Sequence, residues 1–154
     1  MNANHEKALD KLRKIFAENS DKRICVVGFS CIGKSTLVRD LPECLDFDDI
    51  VWQQMPKKVY DELKSIPEPW DETTMTIWKE YVKNTHVNIK LRQPVFSIRV
   101  EDCDLLVYLT LDEKEHRNRV AKRKKDFELL ANHRAKIEKA VKESNLPTIT
   151  VKLD

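Results

Sequence analysis

The sequence predicts an α/β protein built on a parallel sheet, and three observations carry that prediction. Short apolar runs rich in branched side chains alternate with helix-patterned stretches along the whole chain. One run, Leu105-Leu106-Val107-Tyr108-Leu109, is apolar almost throughout, as strands covered by helices on both faces are. The chain holds only two glycines, Gly28 and Gly33, and both fall in the turn between the first apolar run and the helix after it.

Taken in order, residues 4–18 place Ala8, Leu9, Leu12, Ile15 and Phe16 at helical spacing and predict a first helix that packs on the sheet. Residues 24–27 predict the first strand, and 34–41 a helix stopped by Pro42. Residues 44–47 predict a second strand that ends among Asp46, Asp48 and Asp49. A helix is expected near 57–65, after which Pro67 and Pro69 break the chain. Asp71 then caps a long helix from 72 to about 90, with Met75, Trp78, Val82 and Ile89 as one stripe of core packing. Residues 94–98 predict a third strand and 104–109 a fourth. Residues 112–144 are helical in pattern with an interruption near 124–127, and Pro147 introduces a fifth strand over 148–151. No repeat or low-complexity tract divides the chain, so its 154 residues predict one domain, 1–154, with a core that needs neither disulfide nor metal.

Charge and cysteine usage narrow the function classes. With 28 basic and 26 acidic residues the net charge is +2, which argues against a dominant nucleic-acid or membrane role. The four cysteines form no C-x-x-C pair and no zinc spacing with histidines. Cys25, Cys44 and Cys103 read as reduced core residues, which fits a cytoplasmic protein, and Cys31 as incidental in its loop. Neither an 18-residue apolar stretch nor a signal peptide is evident, so no membrane partner is expected.

The glycines explain themselves in context. Gly28-Phe29-Ser30-Cys31-Ile32-Gly33-Lys34-Ser35 satisfies the Walker A pattern G-x-x-x-x-G-K-[ST] at every fixed position. Average usage would give a chain of this length roughly eleven glycines. Such a turn aims the backbone N–H groups of Gly28, Ser30, Cys31, Ile32 and Gly33 at phosphate oxygens, with the positive end of the following helix behind them. Lys34, facing solvent until nucleotide arrives, reaches the β- and γ-phosphates; Ser35 ligands Mg²⁺, with Thr36 able to assist. The expectation is a nucleoside-triphosphate site.

Two further groups bear on that site. Ligands of open α/β sheets bind beyond the carboxyl ends of strands, where Asp46, Asp48 and Asp49 fall. A carboxylate there can take the proton of an attacking hydroxyl, Asp48 first and Asp46 second, while Asp49 can hold a Mg²⁺-bound water. A turn and helix cap is the alternative. Residues 116–125 carry Arg117, Arg119, Lys122, Arg123, Lys124 and Lys125 with no acid among them. At about 100° per residue, Val120 and Phe127 form an apolar side flanked by Arg117 and Arg123, so packing can anchor arginines whose forks face a phosphate. A solvated basic face, or contact with a nucleic-acid backbone, are the alternatives. Trp52 either stacks on a planar ligand or is simply buried. Arg99, ahead of Arg92, is a candidate for an acceptor phosphate, and His86 and His133 read as structural.

With these residues in view, the layout resembles the small P-loop kinases of the adenylate kinase and shikimate kinase group over nearly the whole chain. The acidic cluster resembles their acceptor-side carboxylates. The aspartate-led run over 102–109 resembles the fourth strand of nucleotide kinases, and 116–123 resembles their arginine-bearing lid. The resemblance implies a three-layer P-loop NTPase fold, with helices on both faces of a five-stranded parallel sheet ordered 2-3-1-4-5. It implies a lid at about 112–127, with Arg117 and Arg123 acting on the transferred phosphoryl group and Arg119 on the nucleotide. The usual arginine and glycine pattern of the acceptor-binding insert is missing, and no acidic residue ends an apolar strand as in a Walker B ATPase.

The expected activity is therefore transfer of the γ-phosphoryl group of ATP, with Mg²⁺, to a small acceptor such as a nucleoside or nucleotide. One alternative keeps the chemistry but takes nucleic acid, at a 5′-hydroxyl or a modified base in DNA; polynucleotide kinases loosely resemble the acidic stretch. Another is a nucleotide-binding regulator with little turnover.

Overall fold

The computed structural model describes residues 3–29, 34–122 and 127–153, so the expectations for Ser30, Cys31, Ile32, Gly33 and Arg123 lie outside the described residues. In chain order the elements are α1 (Ala3–Glu18), β1 (Ile24–Val27), α2 (Lys34–Arg39), β2 (Leu45–Asp46), α3 (Phe47–Gln54), α4 (Lys57–Ser65), α5 (Glu72–Asn84), β3 (Val95–Ser97), β4 (Leu105–Thr110), α6 (Glu113–Lys122), α7 (Phe127–Glu143) and β5 (Thr148–Lys152). The five strands form one sheet in the order β2-β3-β1-β4-β5, every neighbouring pair parallel. This is the α/β class that the sequence predicted and the strand order that the resemblance implied.

Burial explains why the strands read as they do. β1 sits at the centre, where Cys25, Val26 and Val27 are wholly buried and aligned with Leu106, Val107 and Tyr108 of β4. The edge strands are different. β5 buries Val151 while Thr148, Thr150 and Lys152 stay exposed, and β2 is only two residues long. α1 buries Ala8, Leu9 and Leu12, one helical stripe, and lies against β5. At about 25 cal/mol per Å² of apolar surface, each such leucine contributes roughly 1.5–3 kcal/mol.

The chain divides into two compact units. The sheet unit comprises Met1–Asp46 and Asn88–Asp154 and contains the five strands with α1, α2, α6 and α7; the helical unit, Phe47–Val87, contains α3, α4 and α5. In the helical unit Trp52 is the hub of an aromatic cluster, its ring 4.7 Å from Trp78, 5.5 Å from Tyr60 and 6.1 Å from Trp70. Gln54 closes the unit by exchanging two hydrogen bonds with the His86 backbone, donating to its carbonyl at 2.6 Å and accepting from its N–H at 3.0 Å.

Two elements depart from expectation. Residues 47–54 form a helix rather than a strand end, because Phe47 and Val51 are buried one turn apart and Asp48 and Asp49 favour the positive first turn. α5 begins on the expected cap, the Asp71 carboxylate accepting from the Thr74 N–H at 2.8 Å, which holds Asp71 below the usual carboxylate range. It stops at Asn84, well short of 90, since the Thr85 hydroxyl donates to the Tyr81 carbonyl and its N–H turns back to Val82. Ile89 is therefore buried from a loop and not from the helical stripe, and Arg92, expected to close the helix, sits in a turn with φ 62°.

Candidate functional site

The candidate phosphate loop leaves the carboxyl end of the central strand, the place where open α/β sheets bind ligands. The Gly28 N–H donates to the Ser97 carbonyl at 3.2 Å, carrying the β1–β3 pairing one residue past β1. There the chain turns away. Lys34, the first residue of α2, folds back so that Nζ donates to the carbonyls of Gly28 and, at 2.8 Å, of Phe29. Lys34 is thus half-buried over the start of the loop and not turned to solvent as expected. Ser35 and Thr36 follow it on α2 and are exposed.

Phe29 carries the site inward. Its side chain is wholly buried, with the His116 ring at 4.5 Å and the Arg134 guanidinium at 4.5 Å from its centroid. Arg134, on α7, donates to the Leu111 carbonyl at 3.0 Å and to the Glu138 carboxylate at 3.3 Å. Burial, with the Glu138 charge behind it, pushes the Tyr108 hydroxyl up to about 12. The neighbouring His133 is held below the usual imidazole range by burial and then by the charges of Lys34 and Lys136. α7 therefore brings Arg134 against Phe29. Sequence reasoning took His133 as structural and passed over Arg134, whose one available signal is that it is the only arginine of α7 among several lysines.

α6 carries the expected arginines. Asp112 starts it by accepting from the Glu115 N–H at 2.9 Å, and Val120 forms the apolar side as predicted, joined by His116. Arg117 pairs with Glu113 at 3.3 Å and Arg119 with Glu115 at 3.2 Å. The basic strip is thus partly neutralised by acids one turn upstream. Such exposed i,i+4 pairs are worth about 0.3–0.5 kcal/mol each.

The acidic cluster is divided between the units. Asp46 ends β2 and is half-buried, whereas Asp48 and Asp49 are exposed in the first turn of α3. Arg99 is committed to Glu101 through its side chain and to the Ser97 hydroxyl through its N–H at 3.2 Å. Trp52 belongs to the packing of the helical unit, with the Lys64 ammonium 4.1 Å from its ring centroid. Cys25, Cys44 and Cys103 are buried free thiols, as the sequence predicted; burial pushes Cys44 up to about 12. Among the described residues no helix is long and apolar enough to cross a membrane.

Compared with known protein families the chain matches none, and no curated protein matches it.

Proposed function

We propose that this chain is a Mg²⁺-dependent phosphotransferase that moves the γ-phosphoryl group of ATP to a small acceptor, a nucleoside or nucleotide. One observation carries the reading: the ammonium of a G-x-x-x-x-G-K-S lysine lies over the first carbonyls of its own loop, at the carboxyl end of the central parallel strand. Both bonds are to backbone carbonyls, and the positive charge of Lys34 suits a triphosphate. The exposed hydroxyl of Ser35, one residue on, suits a Mg²⁺ ligand. When bound, the ion neutralises phosphate charge.

The remaining work falls to side chains. Lys34, whose ammonium carries three N–H donors, meets the β- and γ-phosphate oxygens from the position that its carbonyl acceptors give it. Arg117 and Arg119, with Arg123, meet charge on the nucleotide and the transferred group. Asp48 first, or Asp46 second, orients the acceptor hydroxyl and takes its proton. Phosphoryl transfer needs positioning and charge neutralisation more than covalent help, which this set supplies.

The test is ADP release with Mg·ATP across nucleosides, nucleotides and 5′-hydroxyl oligonucleotides, with Lys34→Ala as control. The expected outcome is one strongly stimulating small acceptor, and a loss of about 10³-fold or more in the variant at unchanged circular dichroism. Strongest stimulation by oligonucleotides, falling steeply with salt, replaces the small acceptor by nucleic acid. Binding of ATP with no acceptor-dependent release replaces the enzyme by a nucleotide-binding regulator. Near-wild-type turnover in Lys34→Ala removes the loop from the mechanism altogether.

A further inference from the structure

Phe29 does two things at once. Its carbonyl accepts a hydrogen bond from the Lys34 ammonium at 2.8 Å, and its ring is wholly buried against His116 and Arg134. Ring and carbonyl hang from neighbouring backbone atoms, so whatever fixes the ring also limits where the carbonyl points. Arg134 is well suited to fix it. Its fork is anchored at Leu111, the residue after β4, at 3.0 Å and at Glu138, one turn along α7, at 3.3 Å, while its Cζ lies over the ring, 4.5 Å from the centroid. A guanidinium can stack and donate in its plane together; an ammonium cannot. Arg134 is only 20% exposed at its side chain and already holds a carboxylate.

We infer that Arg134 is a positioning residue for the phosphate loop: acting through the Phe29 ring, with His116 beside it, it fixes the Gly28–Phe29 carbonyls that hold Lys34. Resting on the phosphate-loop reading above, this assigns α7 a part in nucleotide binding without any contact to the nucleotide. Placement of Lys34 before the triphosphate arrives is pre-organisation, which raises affinity without adding a contact.

A double-mutant cycle in the full-length chain tests the inference. Arg134→Met keeps the stem and removes the fork, Phe29→Leu removes the ring, and the third variant combines them. Mg·ATP affinity is measured by calorimetry beside the thermal midpoint of each protein. Each single variant is expected to weaken Mg·ATP by about 10-fold, the order of one buried cation–ring contact. The double variant is expected to lose little more than either single one, because both break the same link. Arg134→Lys should fail to rescue, and it carries the same test if Arg134→Met does not fold. A full additional loss from Arg134→Met in the Phe29→Leu background overturns the inference in favour of a direct phosphate contact. A lowered thermal midpoint with unchanged affinity overturns it in favour of plain packing.

A second measurement needs no nucleotide. Acetic anhydride labelling of Lys34, read by peptide mass spectrometry, should rise about 10-fold in either single variant as the ammonium loses its fixed acceptors. Unchanged labelling overturns the inference. If the wild-type chain binds no Mg·ATP, the phosphotransferase reading fails, and the labelling alone decides whether Arg134 positions Lys34.

Discussion

Each unit of this molecule lays a cation against an aromatic ring, and the two arrangements differ in what fixes the cation. In the sheet unit Arg134 meets the buried ring of Phe29 and is tied to a backbone carbonyl and a carboxylate. In the helical unit Lys64 is exposed and lies over Trp52 at 4.1 Å and Tyr60 at 5.7 Å. Such contacts run from about 0.5–1 kcal/mol at exposed sites to about 2 when desolvated. The first is a fixed joint beside a candidate reaction site. The second covers a cluster whose cohesion comes from the rings themselves. The same residue classes thus serve position in one unit and packing in the other, and the anchoring of the cation tells them apart.

That contrast breaks first if the helical unit takes no part in chemistry. Asp48→Asn is expected to keep ATP affinity and cut turnover by about 10²-fold, the loss typical of a missing general base. An aspartate that only complements the first turn of α3 costs less than about 1 kcal/mol on the same change and leaves turnover intact. Steady-state kinetics beside ATP calorimetry separate the two, and full activity in the Asp46 and Asp49 asparagine variants as well would end the acidic-cluster mechanism.

The packing side of the contrast is sharpened by a pair of substitutions. Trp52→Leu removes the hub of the cluster and is expected to cost about 2 kcal/mol, below the value for a fully buried tryptophan because Trp52 is half-buried. Lys64→Met is expected to cost less than about 1 kcal/mol. Urea denaturation followed by circular dichroism measures both; an equal cost would make the lysine a structural partner and erase the distinction between the units.

The smallest effect is a pH dependence in the sheet unit. His133 titrates below the usual imidazole range when folded, through burial and then the charges of Lys34 and Lys136. Its folded value is depressed, so its contribution to stability is complete above the unfolded value of about 6.5 and is lost as pH falls through the folded one. His133→Gln should flatten stability over that acidic window. Lys34→Ala should move the His133 titration upward in NMR, and no movement would show that Lys34 does not reach it.

The legible part of the molecule was the part governed by local pattern. The strands predicted over 24–27 and 104–109 announced themselves because central parallel strands are apolar on both faces. The strand order came from resemblance to a family and not from any strand's own residues. α3 escaped notice because Asp48 and Asp49 suit a strand's end as well as a helix's first turn, and eight residues give a weak period. The early end of α5 escaped because a threonine hydroxyl competing for a backbone carbonyl looks like any other helical position. Arg134 offered only its place as the one arginine of α7. Its meeting with Phe29 joins distant parts of the chain and exists only once α7 packs beside the loop.

One arrangement gives the molecule an optical property of its own. Trp52, Trp70 and Trp78 are the only tryptophans, and all lie within Phe47–Val87. Indole emission excited at the red edge therefore comes entirely from the helical unit, while the sheet unit, with Tyr108 as its one phenol, stays dark. The chain reports on one of its two units without a label. An acceptor that settles against the helical unit changes that light directly, and a nucleotide held by the phosphate loop changes it only if the two units communicate.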